Sequence, residues 1–254
     1  MAVDLSVLLL CGDTNRAKAY LHALQHVPNL RVSAIYYGVQ EVKKASSTDD
    51  ITIDRATREY LESVVISLPD FNLSTEDYLI RYGIDFYSTR ERDVNSKEIL
   101  DLIGQSSAEY IIFAGYGGQI LSRDHFLHSK KYIHCHPGWL PEERGSTTLY
   151  YSILRNKALS VTSFLMTAEI DKGDILLRNT YPRPKQKVDI DVFVDNSLRA
   201  DTLKKTLLNI LNGQVDFVER GNEKDEEFYV IHPLLKHVAL MSLDVADVGD
   251  INEN

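Results

Sequence analysis

Sulfur is scarce in this sequence, and a dinucleotide-binding glycine fingerprint is missing from it. Its only cysteines, Cys11 and Cys135, both sit inside apolar runs. They read as buried thiols rather than a disulfide, which fits a reducing compartment. Basic side chains are in deficit, with 28 Lys and Arg against 37 Asp and Glu and a net charge of −9. Nucleic-acid affinity draws on Lys and Arg against phosphates, so no nucleic-acid partner is expected. No apolar run is long enough to span a bilayer, and the opening MAVDLSVLLLC lacks a basic leader and carries Asp4 near its front. It reads as a first strand, and the chain as cytoplasmic with no membrane partner. There is no internal repeat, no low-complexity tract and no metal-type Cys/His cluster beyond a single His-x-His, so no metal is expected.

What is present is an ordinary globular composition, 44% apolar and 26% charged over 254 residues, enough to bury a sizeable core. Leu5 to Cys11 has the continuous apolar character of a strand in a parallel sheet, followed by the turn Gly12-Asp13-Thr14-Asn15 and helical spacing over 17–26. The opening is Rossmann-like without G-x-G-x-x-G, which disfavours a dinucleotide. The amides at that helix start remain able to receive a phosphate, making Gly12, Asp13 and Asn15 candidate substrate contacts. Further strands are expected at 31–37, 85–88 and 110–114, and helices capped by Ser74 and Ser96. The polar stretch 40–58 reads as a loop with a short helix after it.

The remainder is organised around residues 131–174. His134 and His136 are two apart in a strand that Pro137 ends, so they share a face. Paired imidazoles at a strand end, before a Pro/Gly loop, have the placement of site residues held by a rigid sheet. A hydrogen-bonded packing role is the competing reading for either one. Asp171, after the apolar run 161–166, reads equally as an ordinary turn aspartate. Upstream, three glycines within 115–118 permit a tight turn or the close approach of backbone to a flat ligand.

The order and spacing of His134-Cys135-His136-Pro137, Leu140-Pro141, Arg144-Gly145-Ser146 and Ile170-Asp171-Lys172-Gly173 resemble the formyltransferases that use N10-formyltetrahydrofolate. The likeness covers about Ile111 to Tyr181. Within that family, HPGWLPEERGSTTLYYSIL, AGYGGQIL and FYVIHPLLKH look most like the sugar enzymes of the GDP-perosamine N-formyltransferase kind, which serve surface polysaccharide synthesis. One position departs: the family carries Asn where this chain has His134.

The resemblance implies an α/β fold, a Rossmann-like domain with a mainly parallel sheet over 1–184. A small C-terminal region, 185–254, would add an amphipathic helix over 191–212 and a hairpin made from 214–220 and 227–232. It implies N10-formyltetrahydrofolate as co-substrate, held by Tyr116, Gly117, Gly118, Leu121, Gly145, Ile170 and Gly173. The acceptor would be a nucleotide-linked amino sugar near Arg144 and Ser146, for which turn scaffolding is an equal reading. His134, His136 and Asp171 would be catalytic: His136 donating at the oxyanion, Asp171 orienting it, and His134 donating in place of Asn. A homodimer is expected, with Leu203, Leu207 and Leu211 as candidates for its face. Other readings are a formyltransferase for methionyl-tRNA or glycinamide ribonucleotide, a two-His-one-carboxylate metalloenzyme, and a non-catalytic nucleotide-sugar binder.

Overall fold

The computed structural model describes residues 4–40, 50–155, 157–215 and 227–243. The apolar runs become strands. β1 (Leu5–Cys11), β2 (Leu30–Tyr37), β3 (Asp85–Thr89), β4 (Tyr110–Ala114), β5 (Lys131–Pro137), β7 (Leu159–Leu165) and β8 (Ile175–Tyr181) form one sheet in the order β3-β2-β1-β4-β5-β7-β8. Pairing is parallel from β3 through β5, then antiparallel for β7 and β8. β1 is buried along nearly its whole length, as a central strand covered on both faces must be.

Local chemistry sets the helices. α1 (Asn15–Leu24) starts where the Thr14 side chain accepts from the Ala17 amide. α2 (Arg55–Ser63) starts on Asp54, and α4 (Lys97–Gln105) on Ser96. α3 (Thr75–Arg81) has a reciprocal Ser74–Asp77 capping box, which satisfies two otherwise orphaned donors. Most of the loop expected at 40–58 lies outside the described residues.

α6 (Asp195–Leu211), entered through one π-helical turn at Ile190–Val194, packs against α1 and across β5, β7 and β8. Leu198, Leu203 and Leu207 are fully buried in that core, and Leu211 packs against it partly buried. Leu203 and Leu207 are therefore not the self-association face expected of them, because the chain's own sheet uses their apolar surface. Gly213, at φ 65°, follows the helix in the left-handed conformation that ends many helices.

The terminal hairpin expected from 214–220 and 227–232 is described only in part. Its first strand falls largely outside the described residues, and the second is only β9 (Glu227–Phe228), which pairs parallel with β6 (Arg144–Gly145). His232 then caps α7 (Pro233–Met241), which carries proline in its first turn. Proline is tolerated there because the missing N–H would lack a helical partner anyway. β9 thus lies against the loop that follows β5, and that contact shapes the cleft described below. The acidic tail, 244–254, is outside the described residues.

Candidate active site

At the carboxyl ends of β4 and β5 the sheet opens into a cleft of about 450 Å³, within the roughly 300–1,000 Å³ of ordinary small-molecule sites. His134, His136, Asp171, Tyr116, Gly117, Gly118, Leu121, Gly145, Ser146 and Ile170 all line it. Gly12, Asp13, Asn15, Arg144 and Gly173 do not.

The pairing at the floor joins distant parts of the chain. His136 is 2% exposed, and its Nδ1 stands 3.6 Å from Asp171 Oδ1. Its Nε2 lies 2.6 Å from the Glu143 carbonyl oxygen, which can only accept, so Nε2 carries the proton in the neutral ring. Burial pushes the His136 pKa down while the Asp171 carboxylate opposes this, and the net direction is downward. At neutral pH the ring therefore presents a bare Nδ1 beside a carboxylate. Asp171 itself is held by the Gly145 amide, 3.0 Å from its Oδ2, and sits at φ 50°, a left-handed conformation that Asp adopts more readily than most residues.

His134 shares the face but not the environment. Its ring meets Phe164 edge-on at 5.8 Å and Phe113 at 6.3 Å. One ring nitrogen bonds the Phe113 backbone, an interaction that favours the protonated ring, so the ring is the donor. Nδ1 has no partner among the described residues. Burial, then the charges of Arg199 and Arg16, push its pKa well below the ordinary value. His134 is a neutral ring with Nδ1 unengaged among the described residues.

The glycines have separate reasons. A Cβ on Gly12 would lie 2.5 Å from the Tyr116 ring, and one on Gly38 2.8 Å from its hydroxyl. That hydroxyl accepts from the Asp13 amide at 3.3 Å, while Asp13 Oδ1 accepts from Thr75. The β1–α1 turn expected to receive substrate is thus also the seat of the Tyr116 ring. On Gly145 a Cβ would sit 2.1 Å from the Phe228 carbonyl oxygen, and on Gly173 1.8 Å from that of Leu165. Both allow close backbone approach, and Gly173 serves the fold rather than the cleft. Arg144 donates to the Ile170 carbonyl at 3.2 Å, tying the two loops together.

Other residues that line or support the cleft add to those named from the sequence. Glu143, 2% exposed, accepts from the Trp139 amide and from Ser152, pinning the loop whose carbonyl orients His136. Phe228, Tyr229 and Val230 reach the cleft through β9, and Ile120, Ile170, Tyr229 and Val230 are exposed apolar groups on its wall. Arg16 and Arg199 also line it. Among the described residues, no group of three or more His, Cys, Asp or Glu is arranged to hold a metal ion, and no helix is long and apolar enough to cross a membrane.

The chain is similar in sequence and in fold to known proteins. The chain is 34% identical over 122 residues to the methionyl-tRNA formyltransferase of Rickettsia bellii, covering 46% of this chain and 39% of that protein. It spans roughly two fifths to a half of the length of the curated relatives it matches. In fold it is similar to a sugar N-formyltransferase from Shewanella sp FDAARGOS_354, with a TM-score of 0.57 at 17% identity, covering 95% of this chain and 88% of the other. It is also similar to the N-formyltransferase of Helicobacter canadensis solved with folinic acid and dTDP-3-aminofucose, at TM-score 0.52 and 16% identity, covering 87% and 70%. At such identities these structures establish the fold alone. Residues 38–188 match the formyl transferase family, and the chain belongs to that family.

Proposed function

We propose that the chain transfers the formyl group of N10-formyltetrahydrofolate to the amino group of a nucleotide-linked amino sugar, of the 4-amino-4,6-dideoxy kind found in GDP-perosamine. The observation that carries this reading is the His136–Asp171 pair on the floor of a cleft with an apolar wall. Gly117 and Gly118, the latter at φ 80°, leave backbone open to a flat ring, and Ile120 and Ile170 offer it apolar surface. These residues suit a pterin with its aromatic linker, and the bound folate supplies the activated one-carbon unit.

The amine must lose a proton as its nitrogen bonds the formyl carbon, and the donor nitrogen must gain one as its bond to that carbon breaks. His136, neutral and with Nδ1 bare, takes the first proton. Asp171 stabilises the imidazolium so formed, and His136 then returns the proton to the leaving nitrogen. The Glu143 carbonyl keeps the ring in the tautomer this requires. His136 thus acts first as base, where the sequence pattern suggested a donor.

Methionyl-tRNA is the second reading, favoured by the curated relatives and opposed by the net charge of −9, since tRNA binding relies on basic surface. Incubating the protein with N10-formyltetrahydrofolate and GDP-, dTDP- or UDP-linked amino sugars should give the formamide and free tetrahydrofolate. Absence of turnover on all three, with turnover on methionyl-tRNA, sinks the sugar reading.

A further inference from the structure

Two arginines stand at the cleft floor with no place in the mechanism above. Arg199, on α6 and 7% exposed, is fixed: its Nε lies 2.9 and 3.0 Å from the Asp195 carboxylate oxygens, and one terminal nitrogen donates to the Cys135 carbonyl at 2.7 Å. Cys135 is the residue between the two histidines. Arg16, in the first turn of α1, lines the same cleft. Its Nε is buried and has no hydrogen-bond partner among the described residues. The two guanidiniums are close enough that each bears on the charge state of His134, and Arg199 disfavours the charged form of Arg16, after burial itself.

Such an arrangement is unfavourable unless something completes it. A guanidinium that keeps a buried Nε–H unbonded loses free energy, and a like charge beside it adds to the cost. Asp195 offsets one of the two charges and is already engaged by Arg199. One guanidinium's worth of positive charge is left facing the cleft, beside the reacting pair. Guanidinium donors match the oxygens of a carboxylate or phosphate in a fixed fork.

We propose that Arg16 and Arg199 form an anion subsite, and that the acceptor amine carries a carboxylate or phosphate which this subsite receives. The inference rests on the formyl-transfer reading and places an acid group of the acceptor beside the reacting amine. Arg199 supplies the rigid half of the subsite, held by Asp195 and Cys135. Arg16 supplies the half that gains partners only when the anion arrives. The folate's own carboxylates are not the occupant, because the subsite lies next to His134 and His136, where the formyl group must sit, and the glutamate tail is at the other end of that molecule.

The test uses the full chain, Arg16→Gln and Arg16→Lys. Thermal unfolding is followed with inorganic phosphate or acetate against chloride at equal ionic strength, and binding of 5-formyltetrahydrofolate is measured in parallel. Phosphate or acetate should raise the wild-type melting temperature above the chloride control, Arg16→Gln should abolish that gain, and Arg16→Lys should keep part of it. Whichever of the two anions protects more identifies the acid group. Arg16→Gln should melt no lower than wild type without added anion, since it removes a buried Nε–H that has no partner among the described residues, and should bind 5-formyltetrahydrofolate unchanged. With formylatable amines, the substitution should raise KM at least tenfold for one bearing an acid group and leave its neutral analogue unaffected. Equal anion protection in wild type and Arg16→Gln overturns the subsite, as does weakened folate binding in Arg16→Gln or an equal loss of kcat on charged and neutral amines. Failure of the wild type to bind 5-formyltetrahydrofolate at all would instead strike the formyl-transfer reading.

Discussion

His136 Nδ1 and Asp171 Oδ1 face each other at 3.6 Å, brought together from the end of β5 and the loop before β8 across 35 residues of chain. The distance is longer than a hydrogen bond, as suits two groups that share a proton only after it has been taken from a substrate. Replacing either by Asn should lower kcat about a hundredfold or more, the usual scale for acid–base groups, with little change in the melting curve. Near wild-type turnover in a folded His136→Asn variant would remove His136 from the chemistry.

The pH–rate profile gives a separate measurement. His136 acts as a base and its pKa is displaced downward by burial, so kcat/KM should rise with pH on a limb below about 6.5, the ordinary histidine value, and be level at neutrality. Asp171 is the group that opposes the displacement. Whatever activity Asp171→Asn retains should therefore show the limb at still lower pH, and a limb moved upward contradicts the assignment.

His134 should contribute no ionisation near neutrality, because burial and two arginines hold it neutral. The profile of His134→Asn should accordingly run parallel to wild type above pH 6, with activity largely kept because an amide has both a donor and an acceptor. Loss of a near-neutral ionisation on this substitution would show that the ring titrates after all.

How much of this was legible follows from what each signal depends on. The strands and the Ser74 and Ser96 caps came through because apolar runs and cap chemistry are local. The His-x-His face came through because a strand's two-residue period places both rings on one side, and the family spacing led to Asp171. Tautomers were not legible: they depend on the Glu143 carbonyl and the Phe113 backbone, which the fold brings to those rings. Nor was the purpose of Gly12, whose partner Tyr116 is 104 residues away, or the parallel pairing of Glu227–Phe228 with Arg144–Gly145. Arg16 carries no local signal, because the cleft it lines is built from the distant β4 and β5 ends and the 168–171 loop.

Gly12→Ala should act through Tyr116. The new methyl would lie 2.5 Å from the ring, forcing the ring to move, and overpacking of this kind typically costs about 1–3 kcal/mol. Tyr116→Ser removes the obstacle, so the double variant should be less destabilised than the two single changes added together. Strict additivity in urea unfolding would show that Gly12 is there for another reason.

Acid should weaken the fold sooner than carboxylate titration alone would. His125, His134 and His136 all have their pKa lowered, in each case by burial first. Above about pH 6.5 these rings are neutral in both folded and unfolded chains and stability does not depend on them. As pH falls below that value, the unfolded chain binds protons that the folded chain still refuses. Stability then drops by up to about 1.4 kcal/mol per pH unit for each histidine, until the folded-state values are reached. Urea midpoints should be level between pH 8 and 7 and fall clearly by pH 5.5. His125→Gln should lessen the slope, since His125 bonds Tyr132 and the Val94 carbonyl away from the cleft, and its removal leaves the catalytic rings in place. A midpoint unchanged from pH 7 to 5.5 would mean that these rings take up protons as readily in the folded as in the unfolded chain, and the downward displacement by burial would fall.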